Sequence, residues 1–168
     1  MPPDPPSHGT AVRPALAEDL TAVRALAEGA YALYLPRMDR RPAPMDADYA
    51  AVIREGRMDV LSDGGDSGRN GTVRGFIVHF ARDGDWFVET IAVDPARQGL
   101  GYGHRLMAHA EARARAAGRT VIALYTNAAM TENLTYYPRL GYRESARRVE
   151  DGFARVYFEK RLPDAPAS

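Results

Sequence analysis

The stretch Gln98-Gly99-Leu100-Gly101-Tyr102-Gly103 places three glycines in five positions. It lies between an apolar extended run, Trp86 to Val93, and an Ala/Arg-rich helical run, His104 to Ala117. Glycine makes φ > 0 accessible wherever the turn needs it and leaves the main chain uncovered. The following helix offers unpaired N–H groups and the positive end of its dipole. Together they predict a pocket for a phosphate or pyrophosphate. A plain strand-to-helix turn would also use glycines, but the strand, loop and helix order favours the anion site.

Known phosphate fingerprints narrow the ligand. A dinucleotide fold needs G-x-G-x-x-G and an acidic residue about 20 positions on. Here His104 or Leu106 stands where the third glycine belongs, and the next strand, Val121 to Tyr125, carries no carboxylate. A P-loop needs Gly-Lys-Ser/Thr, and the only lysine is Lys160. What remains is Q-x-x-G-x-G preceded by Ile91-Ala92-Val93-Asp94-Pro95. This resembles the acetyl-CoA-binding segment of the GCN5-related N-acetyltransferase (GNAT) family. A second segment, Asn133-Leu134-Thr135-Tyr136-Tyr137-Pro138-Arg139-Leu140-Gly141-Tyr142, resembles the family's later helix and its exit turn. The likeness covers residues 10–162.

The resemblance implies an acetyl-CoA cosubstrate, with no metal, and acetyl transfer from the thioester to a primary amine by direct attack. Backbone amides of Gln98, Gly99, Leu100, Gly101, Tyr102, Gly103 and His104 would hold the pyrophosphate. Ile91, Ala92 and Val93 would pair through their backbone with the pantetheine arm, and an amide there would polarise the carbonyl. Tyr137 stands where the family's Y-x-x-L-G-Y/F motif places its proton donor. A tyrosine near pKa 10 can donate to a thiolate, which resembles a cysteine of pKa about 8.5, as it departs. Glu89, four residues before Val93, is the leading base, working through water, and it has the parity of Ile91 and Val93 unless a bulge alters its facing. Met130 replaces an asparagine common in relatives, and Asn133, one turn later and on the same helix face, is its substitute for contacting pantetheine. Pro138 biases the preceding residue away from helix, which keeps Tyr136 as the reserve acid. Arg97, His104 and Arg105 flank the loop, and for Arg105 a solvated helix-end charge is the preferred reading.

The acceptor leaves less trace. Tyr31, Tyr34, Arg37 and Met38 lie in a proline-broken segment that the family uses to line the acceptor site, with Met45 and Tyr49 just beyond. Aromatic walls with arginine suit a small amine or amino-acid-like acceptor, since a guanidinium can hold a carboxylate bidentately. Two alternatives stay open: a protein or peptide amine acetyltransferase, and a non-catalytic acyl-CoA-binding sensor or interaction module on the same fold.

Composition bounds the rest. The 168 residues carry zero net charge, which argues against a general nucleic-acid or membrane-surface binder. Cysteine is absent, which excludes disulfides and cysteine nucleophiles. No apolar run approaches membrane length, and the proline-rich start lacks the pattern of a signal peptide, so a cytoplasmic location is the default and a homodimer is left open. His79 and His109 show no partner in sequence and read as structural and surface residues, and no His/Asp/Glu group has metal-ligand spacing.

The elements that must position these residues follow from periodicity and punctuation. Flexible tails at 1–9 and 163–168 flank a single domain, 10–162. Strands are expected at Thr10 to Arg13, Met58 to Ser62, Thr72 to Phe80, Trp86 to Val93, Thr120 to Tyr125, Tyr142 to Val149 and Phe153 to Glu159. Helices are expected from Ala17, over about 47–55 with Asp46 as cap, from His104, and over about 130–140 ending at Gly141. Asp63 to Gly71 reads as a solvated, mobile loop. The whole is an α+β fold, a mixed sheet of about seven strands with helices on both faces.

Overall fold

The computed structural model describes residues 9–65 and 71–163. The expected tails lie almost wholly outside the described residues, as does the middle of the Asp63–Gly71 loop. Seven strands form one sheet in the order β1-β2-β3-β4-β5-β7-β6. They are β1 (Ala11–Pro14), β2 (Met58–Asp63), β3 (Thr72–Arg82), β4 (Asp85–Val93), β5 (Val121–Asn127), β6 (Arg143–Glu150) and β7 (Phe153–Arg161). Only β4 and β5 are parallel neighbours. The crossover between them is the helix α3 (Tyr102–Ala116), as a parallel pair requires. The other helices are α1 (Leu20–Tyr31), α2 (Tyr49–Arg54) and α4 (Thr131–Arg139).

Alternation along the strands divides the core into two layers. Val60, Phe76 and Val78 face α1, where Val23, Leu26 and Ala27 are buried against them. Leu61 and Ile77 face the opposite way, onto Leu106, Met107 and Ala110 of α3. Each such side chain contributes about 1.5–3 kcal/mol by leaving water. Both faces of the sheet are therefore covered, as its apolar strands demand.

Local signals differ from expectation at the cap of α2 and at Pro138. The cap of α2 is Asp48, whose carboxylate accepts from the Ala51 amide at 3.1 Å, while Asp46 binds Arg41 instead. Asp19, in the turn that leads into α1, closes a bidentate pair with Arg13 and accepts the Leu16 amide. Pro138 sits inside α4 and leaves Tyr137 helical. Proline removes one donor, but the Tyr137 carbonyl still accepts from Leu140 and Tyr142, which closes the last turn.

The closing hairpin turns through Asp151 and Gly152, both at φ > 0. That conformation gives the two-residue turn that matches strand twist.

Candidate active site

The central strand carries the geometry that matters. Val78 pairs with Thr90 and His79 with Val88, so Glu89 is an extra residue on β4, a β-bulge. A bulge bends its strand and re-aims the side chains beyond it. Trp86 and Val88 share the α3 face with Ile91 and Val93, although an unbroken strand would put them on opposite faces. The expected common parity of Glu89 with Ile91 and Val93 is thus replaced by a bulge position, exposed on the cavity wall.

Strands β4 and β5 pair only from Trp86–Ile122 to Val88–Leu124. Beyond that they separate, and among the described residues Glu89 to Val93 has no strand partner on the β5 side. Unpaired main-chain groups at an open edge are a template for an extended ligand. The gap forms part of a cavity of about 980 Å³ that runs from the glycine loop to the segment after α1.

At one end of the cavity lie Gln98, Gly99, Gly101, Gly103 and His104, together with Arg97. Gly99 and Gly101 both have φ of 82°, and nothing lies within 4 Å of where a Cβ would stand on either. The loop is thus an open cradle of backbone at the N-terminus of a 15-residue helix, which suits a pyrophosphate. Leu100 is exposed and does not line the cavity. The side chain of Tyr102 is committed elsewhere, since its hydroxyl donates to Asp63 at 3.0 Å. Arg74 joins Asp63 to Asp94, and Asp94 caps the short turn before the loop through the Ala96 amide. The expected solvated end of the loop after β2 is therefore, at Asp63, a brace for the glycine loop. Arg105 binds Thr10 rather than standing free.

In the middle of the cavity are Met130, Asn133, Tyr136 and Tyr137. Asn133 donates to Thr126 at 3.0 Å. Tyr136 reaches the first turn of α3, where its hydroxyl would lie 3.3 Å from a Cβ on Gly103. Tyr137 is buried, its hydroxyl makes no hydrogen bond among the described residues, and burial pushes its phenol well above the ordinary value. It is therefore protonated at neutral pH, with its one donor available.

The segment after α1 forms the far wall. Tyr34 and Met38 line it, and so does Tyr31, whose hydroxyl donates to the Ile91 carbonyl at 2.9 Å. Met45 and Tyr49 are core residues: Tyr49 packs edge-on to Phe76 and donates to the Pro44 carbonyl. Arg37 is not among the lining residues. It forms a bidentate pair with Glu132 of α4 at 2.8 and 2.9 Å. Sequence reasoning missed Thr126, Tyr125, Phe153 and Arg155, which complete the wall from β5 and β7.

A model of the acetyltransferase (GNAT) family matches residues 24–142, most of the chain. The chain belongs to this family. It is an acyltransferase with the seven-stranded α+β architecture expected of a GNAT enzyme. Curated protein sequences give no match. Three solved structures share the fold. The ribosomal-protein-S18-alanine N-acetyltransferase of Escherichia coli is 19% identical, with a TM-score of 0.70 over 93% of this chain and 96% of its own. Ard1 of Thermoplasma volcanium is 17% identical, with a TM-score of 0.73 over 93% and 99%. The PaiA N-acetyltransferase of Thermoplasma acidophilum, solved with coenzyme A, is 18% identical, with a TM-score of 0.71 over 90% and 98%. No described helix is long and apolar enough to cross a membrane.

A second cluster lies away from the cavity. Asp59 of β2 is buried and accepts from His79 at 2.6 Å and from His109 of α3 at 2.9 Å. Their donor atoms lie within 4.8 Å of one another, a grouping that no spacing along the chain revealed. The Trp86 indole N–H, which can only donate, points at His79 Nδ1 at 3.0 Å. The His79 proton therefore sits on Nε2 and is given to Asp59, leaving no lone pair there for a metal. Burial pushes the Asp59 carboxyl up, but the hydrogen bonds from His109 and His79 outweigh it and hold the group well below the usual carboxylate range. The cluster ties α3 to the sheet. His109 is accordingly not the surface residue expected, nor is His79 without a partner.

Proposed function

We propose that this GNAT protein is an acetyl-CoA-dependent N-acetyltransferase acting on the primary amine of a small or amino-acid-like acceptor, in the cytoplasm. One observation carries the reading: Tyr137 and Glu89 line the same cavity, which opens onto the gap between β4 and β5 and ends at the glycine loop. The main chain of residues 98–104 and 91–93 holds the phosphate and pantetheine portions, and Asn133 contacts the arm. Tyr34 and Met38 border the acceptor, Tyr31 positions β4, and Arg37 supports the rim through Glu132. The domain spans residues 10–162.

The reaction forms a C–N bond and breaks a C–S bond. An amine of pKa about 10.4 is almost wholly charged at pH 7, so Glu89 takes its proton through water before the nitrogen attacks the thioester carbonyl. A backbone amide of β4 stabilises the oxyanion. As the tetrahedral centre collapses, Tyr137 donates its O–H to the departing sulfur, and the second proton that the nitrogen gives up in becoming an amide returns the tyrosine to its phenol form. Its high pKa keeps the proton in place until the thiolate develops.

The test is thiol release from acetyl-CoA across amino acids, polyamines, aminoglycosides and peptides. Turnover with a small amine or amino acid supports the reading. Preference for peptides moves the acceptor to a protein amine. Acetyl-CoA binding without turnover on any amine leaves the sensor reading standing.

A further inference from the structure

The arginine expected to meet an acceptor carboxylate, Arg37, is already satisfied by a carboxylate of this chain. A different arginine lines the cavity. Arg155 enters the wall from β7, and its side chain is only 14% exposed. Its guanidinium lies 4.4 Å from the ring centroid of Tyr125, which holds it against an aromatic face. Its nearest acids, Glu150 and Asp151, both stand at 3.9 Å, and neither closes a bidentate pair. Glu150 instead accepts the Tyr157 hydroxyl, and Asp151 is almost fully exposed. Tyr157 is a further polar neighbour of Arg155.

The opposite charge lines the same cavity, on Glu89. Burial raises the Tyr125 phenol above its ordinary value, Arg155 draws it down and Glu89 adds to the rise, so both charges act on this ring. The cavity wall thus brings together the Glu89 carboxylate and the Arg155 guanidinium, with Tyr125 and Phe153 beside the arginine. An acceptor bearing only an amine would use one of these groups. A zwitterion uses both, with its amine toward Glu89 and its carboxylate toward the planar fork of Arg155. Stacking fixes that fork, so little side-chain freedom is lost when the carboxylate arrives.

We propose that Arg155 is the carboxylate-binding residue of the acceptor site and that the acceptor is a free amino acid or a close analogue with amine and carboxylate near each other. This inference rests on the acetyl-transfer reading and deepens it. A peptide N-terminus is disfavoured because it carries no carboxylate at that distance from its amine.

The experiment compares each of several amino acids with its methyl ester and its decarboxylated amine. The quantity read is the ratio of kcat/KM for the amino acid to that for each partner. The wild-type ratio is expected at about 10 or more, as a charge-assisted contact gives. In Arg155→Gln it falls at least tenfold, and in Arg155→Lys it falls less. A wild-type preference for esters or bare amines overturns the proposal, and so does a ratio that survives in Arg155→Gln. Should that variant fail to fold, the wild-type ratio and Arg155→Lys decide. Thermal shift with N-acetylated amino acids against their methyl esters reads the subsite without turnover. If no amine is acetylated, the acetyl-transfer reading fails, and this shift alone decides for or against Arg155.

Discussion

The hydroxyl of Tyr31, at the last position of α1, donates to the main-chain carbonyl of Ile91 on β4 at 2.9 Å. A residue chosen from sequence as an acceptor contact is thus joined to the strand that lines the cavity. A carbonyl has two lone pairs, so the bond fixes the strand without closing it to a ligand. Tyr31→Phe should lower stability by about 1 kcal/mol, because the half-buried carbonyl loses its donor. It should raise KM for acetyl-CoA more than KM for the amine. Urea titration and steady-state kinetics measure the two effects. An amine-only effect would return Tyr31 to the acceptor site.

Tyr137 and Tyr136 are adjacent in sequence and both line the cavity, but only the Tyr136 hydroxyl stands beside Gly103. Tyr137→Phe should lower kcat about 10²-fold while leaving acetyl-CoA affinity nearly unchanged. Tyr136→Phe should act chiefly on acetyl-CoA affinity, because its hydroxyl stands beside Gly103 at the start of α3. Single-turnover kinetics with a separate binding measurement distinguish the two. A loss of kcat confined to Tyr136→Phe would exchange the roles.

For Glu89, the bulge makes its carboxylate a feature of the cavity wall rather than of the sheet. Glu89→Gln should move the acidic limb of the kcat/KM profile to higher pH, since the amine must then lose its proton unaided. The fold should hold, as the side chain is exposed and makes no ion pair among the described residues. An unmoved profile removes Glu89 from the reaction.

The Asp59 cluster sets a stability prediction with a definite sign. Its folded pKa lies below the unfolded value near 3.9. Such a group stabilises the fold fully above that unfolded value and loses its contribution as pH falls through the folded one. Stability should therefore decline progressively below about pH 4. Asp59→Asn should cost about 1–3 kcal/mol at neutral pH and flatten the acid decline. Melting temperature against pH for both proteins checks it, with Trp86 fluorescence reporting the environment beside His79. A parallel decline in the two proteins would show that other carboxylates govern the acid limit.

What the sequence by itself determined was local. The glycine loop was legible because positive φ and a bare helix terminus are properties of a few consecutive residues, and Gly99 and Gly101 adopt that conformation. The strands and helices were legible because burial imposes periods of 2 and 3.6 on the chain. The two motif segments therefore carried the family and the fold.

Only the tertiary structure decided which charged side chains remain available. Arg37 and Arg155 read alike in sequence, yet Arg37 meets Glu132, 95 positions away, while Arg155 stacks on Tyr125. The bulge at Glu89 required the register of β3, and the cavity required β4 and β5 to part after Val88. Asp59, His79 and His109 converge from two strands and a helix. In each case the deciding energy is a pairing between distant segments, and no periodicity within either segment encodes its partner.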